Sequence, residues 1–138
     1  MRAATLIAAV FFTSAAVFTE RSPTPAQGTG WILGEDAETR QNPKPADPQT
    51  LADGKTIYKD KCARCHGTEG LGDGPEADPA AIDMDLTNPK RAGRNPDGVL
   101  YYKVLNGRAR PQMPAFKDEL TEQQIWAVVI YAQTLRKK

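Results

Sequence analysis

Two cysteines and one histidine are the only thiols and the only imidazole in this chain of 138 residues. They fall within five consecutive positions, Cys62-Ala63-Arg64-Cys65-His66. Two thiols three residues apart at the end of a helix can add to the two vinyl groups of one porphyrin, and the adjoining imidazole then reaches the iron from the same side. C-x-x-C-H is the spacing of c-type haem attachment. The other chemistries open to these residues fit less well. A dithiol redox pair belongs near a βαβ pattern, which this sequence lacks. Structural zinc needs four ligands, and the cluster offers three. A disulfide between Cys62 and Cys65 would close a very short loop for little entropic gain, and it leaves His66 without a role.

If His66 takes one axial position of the iron, no second imidazole exists to take the other, and a methionine thioether is the natural candidate. Met113 lies forty-seven residues after His66 between Pro111 and Pro114, and a residue before proline is pushed to extended backbone. Such a loop is stiff enough to present a thioether without a helix behind it. Met84, in Ile82-Asp83-Met84-Asp85-Leu86, is the alternative, flanked by two carboxylates that are costly to bring to an apolar surface.

The elements that must position these residues read as helices. Asp47 and Pro48 are a capping carboxylate followed by proline at the first helical position, and Leu51, Gly54, Tyr58 and Cys62 follow on one face leading into the cysteines. Glycine inside a helix costs about 1 kcal/mol against alanine, so Gly54 marks a close approach by another helix. A second helix is predicted from the cap Asn95 and Pro96 through Val99, Tyr102 and Leu105 to Gly107 as its stop. A third opens with the capping box Thr121 to Gln124 and buries Ile125, Val128, Val129, Ala132 and Leu135. No alternating run makes a strand. The fold class is therefore all-α, three main helices with long loops. A domain of about 90 residues buries a modest share of its surface, so the haem is expected to complete the core, and the haem-free chain to be largely unfolded.

Composition is that of an ordinary globular chain, 40% hydrophobic and 25% charged, with a formal net charge of +1. That balance excludes the basic surplus of a nucleic-acid binder. Arg2 precedes seventeen uncharged residues, Ala3 to Thr19, then Glu20 and Arg21 and a Ser-Pro-Thr-Pro-Ala stretch. Residues 1–26 are read as a cleaved signal peptide or a retained membrane anchor, since the apolar stretch is at the lower limit for a span and small residues offer cleavage sites. Both place the haem outside the cytoplasm, in the periplasm or on the outer face of the cytoplasmic membrane. Residues 27–46, with Pro43 and Pro45, read as a linker or wrapping segment with little core of its own. Its apolar island Trp31-Ile32-Leu33 either lies on the domain surface or meets a membrane or partner. Residues 47–138 form the haem domain.

From Asp47 to Leu135 the chain resembles the class I, single-haem c-type cytochromes. The resemblance rests on Cys62 to Gly67, on Gly70 and Gly72-Asp73-Gly74-Pro75, on Asn106-Gly107 leading to Gln112-Met113-Pro114-Ala115-Phe116, and on the last helix with Trp126 and Tyr131. It implies the small cytochrome c fold wrapped round one haem c bound through two thioethers, with Gly54 against Tyr131 where the first and last helices cross. It favours Met113 over Met84 as the sixth ligand and implies that the Pro75 carbonyl accepts from the outer nitrogen of His66. Arg108 or Arg110 would reach a haem propionate or remain an exposed loop arginine. An iron filled on both sides by His66 and Met113 has no room for a substrate. The expectation is a one-electron carrier, not an enzyme, exchanging electrons with redox partner proteins, with possible membrane association through residues 3–19. A haem enzyme with an open or labile distal position is the alternative reading.

Overall fold

The computed structural model describes residues 30–136 other than 82 and 111. The export signal or anchor expected in residues 1–26 lies outside the described residues. Asp47 opens the first helix as its sequence requires: its carboxylate accepts from the Thr50 amide at 2.7 Å, and Pro48 follows. Helix α1, Pro48–Ile57, continues through a wider π turn, Tyr58–Cys62, into the short helix α2, Ala63–His66. The sequence pattern anticipates the long run but not the π turn, a distortion that concentrates at functional sites. A short α3, Pro89–Ala92, is capped by Asn88.

Helix α4 spans Asp97–Asn106, with Pro96 as its cap residue, so it starts one residue later than the sequence suggests. The side chain of Asn95 is not a cap. Its amide donates to the Arg91 carbonyl at 2.8 Å, and its oxygen accepts from Lys103 Nζ at 2.5 Å. Gly107 ends α4 at a φ of +58°, a conformation that favours glycine. Helix α5, Glu122–Thr134, opens with the expected capping box between Thr121 and Gln124.

Helix α1 crosses α5 at Gly54, where a Cβ would lie 2.2 Å from the Ala127 carbonyl oxygen and 2.9 Å from Tyr131 Cβ. The expected contact with Tyr131 is there, and the α5 backbone at Ala127 is closer still. Tyr131 also meets the Tyr58 ring, with centroids 5.2 Å apart. The core is built on α5, whose Ile125, Trp126 and Val129 are buried, and Trp126 stacks on Tyr101 of α4 at 4.2 Å. The described residues are helices, turns and loops, with one isolated antiparallel bridge between Arg108 and Met113. Among them no helix is long and apolar enough to cross a membrane.

The segment before α1 contributes more than a covering. Trp31 and Ala37 are buried, while Ile32 is exposed. Arg40 lies 4.4 Å over the Tyr101 ring and pairs with Glu122 at 2.8 Å, and Asn42 donates to the Trp126 carbonyl at 2.9 Å. These contacts strap residues 31–42 onto α4 and α5.

The helix crossing yields a paired test. Gly54→Ala should lower holoprotein stability by about 1–3 kcal/mol, the usual cost of overpacking, read as a lower guanidinium midpoint. Gly93→Ala, at a position with nothing within 4 Å of the added Cβ, should leave the midpoint unchanged or raise it.

Candidate haem site

The C-terminal end of the α1–α2 run delivers Cys62, Cys65 and His66 into one cleft. His66 is held from behind, its Nδ1 lying 2.7 Å from the Met84 carbonyl oxygen. A carbonyl only accepts, so Nδ1 carries the proton and Nε2 presents its lone pair. Burial lowers the pKa of His66, and the bond to Met84 offsets this only in part. The imidazole is therefore neutral at pH 7, the form a metal requires. Tyr58 supports the same corner by donating its hydroxyl to the Gly67 carbonyl at 2.8 Å.

The carbonyl behind His66 belongs to Met84 and not, as the resemblance implies, to Pro75. The Gly67–Glu76 loop turns back on the helix end instead: Gly72 N–H donates to the His66 carbonyl at 2.8 Å, Gly74 to Cys65 at 3.3 Å and Glu76 to Arg64 at 2.8 Å. These bonds satisfy carbonyls that a helix C-terminus leaves open, and they commit the Pro75 stretch to capping. The 84–86 segment then closes on the imidazole. Leu86 N–H donates to the Gly70 carbonyl at 2.7 Å, and Gly72 lets the strands of loop meet, since a Cβ there would lie 2.8 Å from Met84 Cβ. Both carboxylates beside Met84 are engaged: Asp83 pairs with Arg108 at 2.8 Å, and Asp85 accepts from the Thr87 amide at 2.8 Å.

Burial pushes the Cys62 thiol up to about 12, with Cys65 and Asp60 adding to the shift. A redox-active dithiol needs the opposite, a thiol made acidic by its surroundings.

Met113 reaches the same cleft from the loop after α4. Arg108 and Met113 exchange two backbone hydrogen bonds, of 2.9 and 3.0 Å, across a turn that Gly107 makes possible. Beyond it, Phe116 and Lys117 donate to the Val104 and Leu105 carbonyls at 3.1 and 3.2 Å, fastening the loop to the end of α4. Four predicted site residues thus converge: Cys62, Cys65, His66 and Met113.

The cleft holds about 1240 Å³ of non-atom space, counting its open mouth. Leu86, Leu100, Val104, Phe116, Val128 and Val129 give it apolar walls. Arg91, Lys103, Arg108 and Arg136 also line it, and Asn95 ties three of them together through the Arg91 carbonyl, Lys103 Nζ and an Arg136 bond at 2.7 Å. Lys103 and Arg108 lie 4.9 and 4.2 Å over the Trp31 ring. Burial lowers the pKa of Lys103, with Asp83 opposing, which means that its cation lacks full hydration. An apolar slot with two thiols, an imidazole, a thioether and poorly hydrated cations fits a haem with two carboxylates. Arg108 is largely buried at this wall, and Arg110 is exposed. Sequence reasoning did not reach Trp31, Lys103, Arg91, Arg136 or the Met84 carbonyl; the apolar island at Trp31 was the available signal for the first.

Residues 49–131 match the family described as cytochrome c oxidase, cbb3-type, subunit III. The chain belongs to this family. It is similar to the cbb3-type cytochrome c oxidase subunit CcoP of Azospirillum sp. (strain B510), 34% identical over 100 residues, and of Azospirillum brasilense, 28% identical over 99 residues. Each match takes in 68% of this chain but 31% of the relative. Among solved structures it is similar to a Kuenenia stuttgartiensis reducing HAO-like protein complex, Kustc0457/Kustc0458, with a TM-score of 0.58, 28% identity and coverage of 75% of this chain and 55% of the other. It is also similar to the KustC0563 c-type cytochrome, with a TM-score of 0.50, 25% identity and coverage of 62% and 99%.

The fold is the small all-α cytochrome c fold, and haem c and electron transport come with the family. In such a domain Tyr58 should matter for stability without holding the haem itself. Tyr58→Phe removes one of two donors to the Gly67 carbonyl, the Gly70 amide at 3.2 Å being the other, and should cost about 0.5–1.5 kcal/mol in guanidinium unfolding, with covalent haem content unchanged on a denaturing gel.

Proposed function

We propose that this domain is a one-electron carrier in which a single haem c is bound by Cys62 and Cys65 and ligated by His66 and Met113. The carrying observation is the division of labour between the two candidate methionines. The Met84 backbone is committed to the outer nitrogen of His66, on the side of the ring away from Nε2. Both methionines line the cleft, but Met113 enters it from a separately anchored loop whose backbone, among the described residues, is not tied to His66. With two cysteines and one histidine, the chain has attachment residues for one haem only.

The bound haem supplies an iron that cycles between Fe(II) and Fe(III). The residues set the terms of that cycle. The Met84 carbonyl orients His66 and strengthens it as a donor, and a thioether opposite an imidazole favours the reduced state and raises the potential. The apolar walls limit water at the ring, and the Arg91, Lys103, Arg108 and Arg136 cations offset the cost of burying carboxylates.

With His66 and Met113 both holding the iron, the site would have no place for a small-molecule substrate, and the reading is of a carrier and not an enzyme. Asp83 and Asp85, the carboxylates that line the cleft, are held by Arg108 and Thr87, so neither is poised as a distal acid or base. The domain is exported and works outside the cytoplasm, through residues 1–26 as signal or anchor. Its donor and acceptor are proteins, and the names of the relatives suggest a cbb3-type cytochrome c oxidase as the setting.

Mass spectrometry of the exported holoprotein should find the polypeptide plus one haem, and Cys62→Ala with Cys65→Ala should abolish that adduct. Met113→Ala should eliminate the long-wavelength thioether-to-iron absorption band of the oxidised protein and lower the potential, while Met84→Leu should keep the band. Loss of the band in Met84→Leu alone would reverse the assignment.

A further inference from the structure

We propose that the Asp83–Arg108 ion pair is a clamp across the haem cleft that holds the two axial-ligand loops in register and keeps Met113 on the iron. The inference rests on His66/Met113 ligation and adds two positioning residues to it.

Asp83 precedes Met84, whose carbonyl holds His66 Nδ1 at 2.7 Å. Arg108 is tied to Met113 by the paired backbone bonds of 2.9 and 3.0 Å. The contact between Asp83 Oδ2 and Arg108 Nη2, at 2.8 Å, therefore joins the segment that orients one ligand to the segment that carries the other. Both residues line the cleft. The route from imidazole to thioether runs His66, Met84, Asp83, Arg108, Met113, with a hydrogen bond, an ion pair or a single peptide link at every step.

The pair is placed to matter. Exposed ion pairs contribute little because water competes for both partners, but the Arg108 side chain is 9% exposed and Asp83 39%. Breaking such a pair leaves a charge poorly hydrated, a larger penalty than the pair's own attraction. Trp31 restricts the guanidinium further, its ring lying 4.2 Å below it and itself buried. The strap of residues 31–42 thus braces the clamp. A neutral thioether is a weak ligand to ferric iron, so its occupancy depends on how firmly the protein presents it.

The test uses azide, which competes with a thioether for the sixth position of the oxidised holoprotein. Asp83→Asn and Arg108→Gln should each raise azide affinity by about tenfold, and the double variant no further, since each alone already abolishes the ion pair. Asn42→Ala, which removes the bond to the Trp126 carbonyl away from the cleft, serves as a destabilised control and should stay within about twofold of the wild type. Should Asp83→Asn not accumulate as holoprotein, Asp83→Glu takes its place, with a rise in the same direction. Unchanged azide affinity in the Asp83 variant overturns the clamp. So does a response to Arg108→Gln alone, which would assign the effect of Arg108 to the haem carboxylates and none of it to Asp83. Additive effects in the double variant overturn it as well. A wild-type spectrum without the thioether band would instead defeat the ligation reading, and the clamp with it.

Discussion

The site depends on one hydrogen bond to the backbone. His66 Nδ1 faces the Met84 carbonyl, and that single acceptor fixes the tautomer, the ring orientation and the side on which Nε2 can meet iron. Much of the surrounding loop serves to place this carbonyl. The Gly67–Glu76 turn closes the helix end, Gly72 admits the 84–86 segment, and Leu86 locks to Gly70. Burial keeps the imidazole neutral, and the same burial that makes it a poor base makes it a ready ligand.

The helical frame and the cofactor divide one core between them. Helix α5 turns Ile125 and Trp126 into the helical core and Val128 and Ala132 toward the cleft, with Val129 belonging to both surfaces. The helices alone leave that second surface uncovered, and the loops, tied to one another through Leu86 and Gly70 and through Asp83 and Arg108, are placed to close round a haem there. The cluster of Arg91, Lys103, Arg108 and Arg136 and the apolar lining residues suit the carboxylates and the hydrocarbon body of a porphyrin, and residues 31–42 and 112–117 complete the enclosure.

What was legible in the sequence was local. The caps at Asp47 and Thr121 depend on side chains three residues from their targets, and Gly54 stands out because a glycine inside a helix needs a reason. The cysteine and histidine motif carries its cofactor in its spacing. What was not legible depends on long-range folding of backbone. A carbonyl has no residue type, so nothing in Met84 announces that its oxygen supports His66, and the same Gly-Asp-Gly-Pro stretch that suggested Pro75 is spent on helix-end carbonyls. Asn95-Pro96 looks like cap and proline, yet the amide of Asn95 turns to Arg91 and Lys103, moving the start of α4 by one residue. Arg108 and Arg110 are indistinguishable in sequence, and only the bridge to Met113 turns the first toward the cleft. Trp31, sixteen positions before the first helix cap, becomes a wall of the site through contacts with residues more than seventy positions away.

On the proposed ligation, His66 and Met113 share one iron. Proton NMR of the reduced, diamagnetic holoprotein tests it directly, because a methionine bound over a porphyrin has its methyl and methylene protons driven to negative chemical shifts by the ring current. His66/Met113 ligation predicts one such spin system, assigned through its backbone connectivity to Met113. An upfield system belonging to Met84, or none at all, would contradict it.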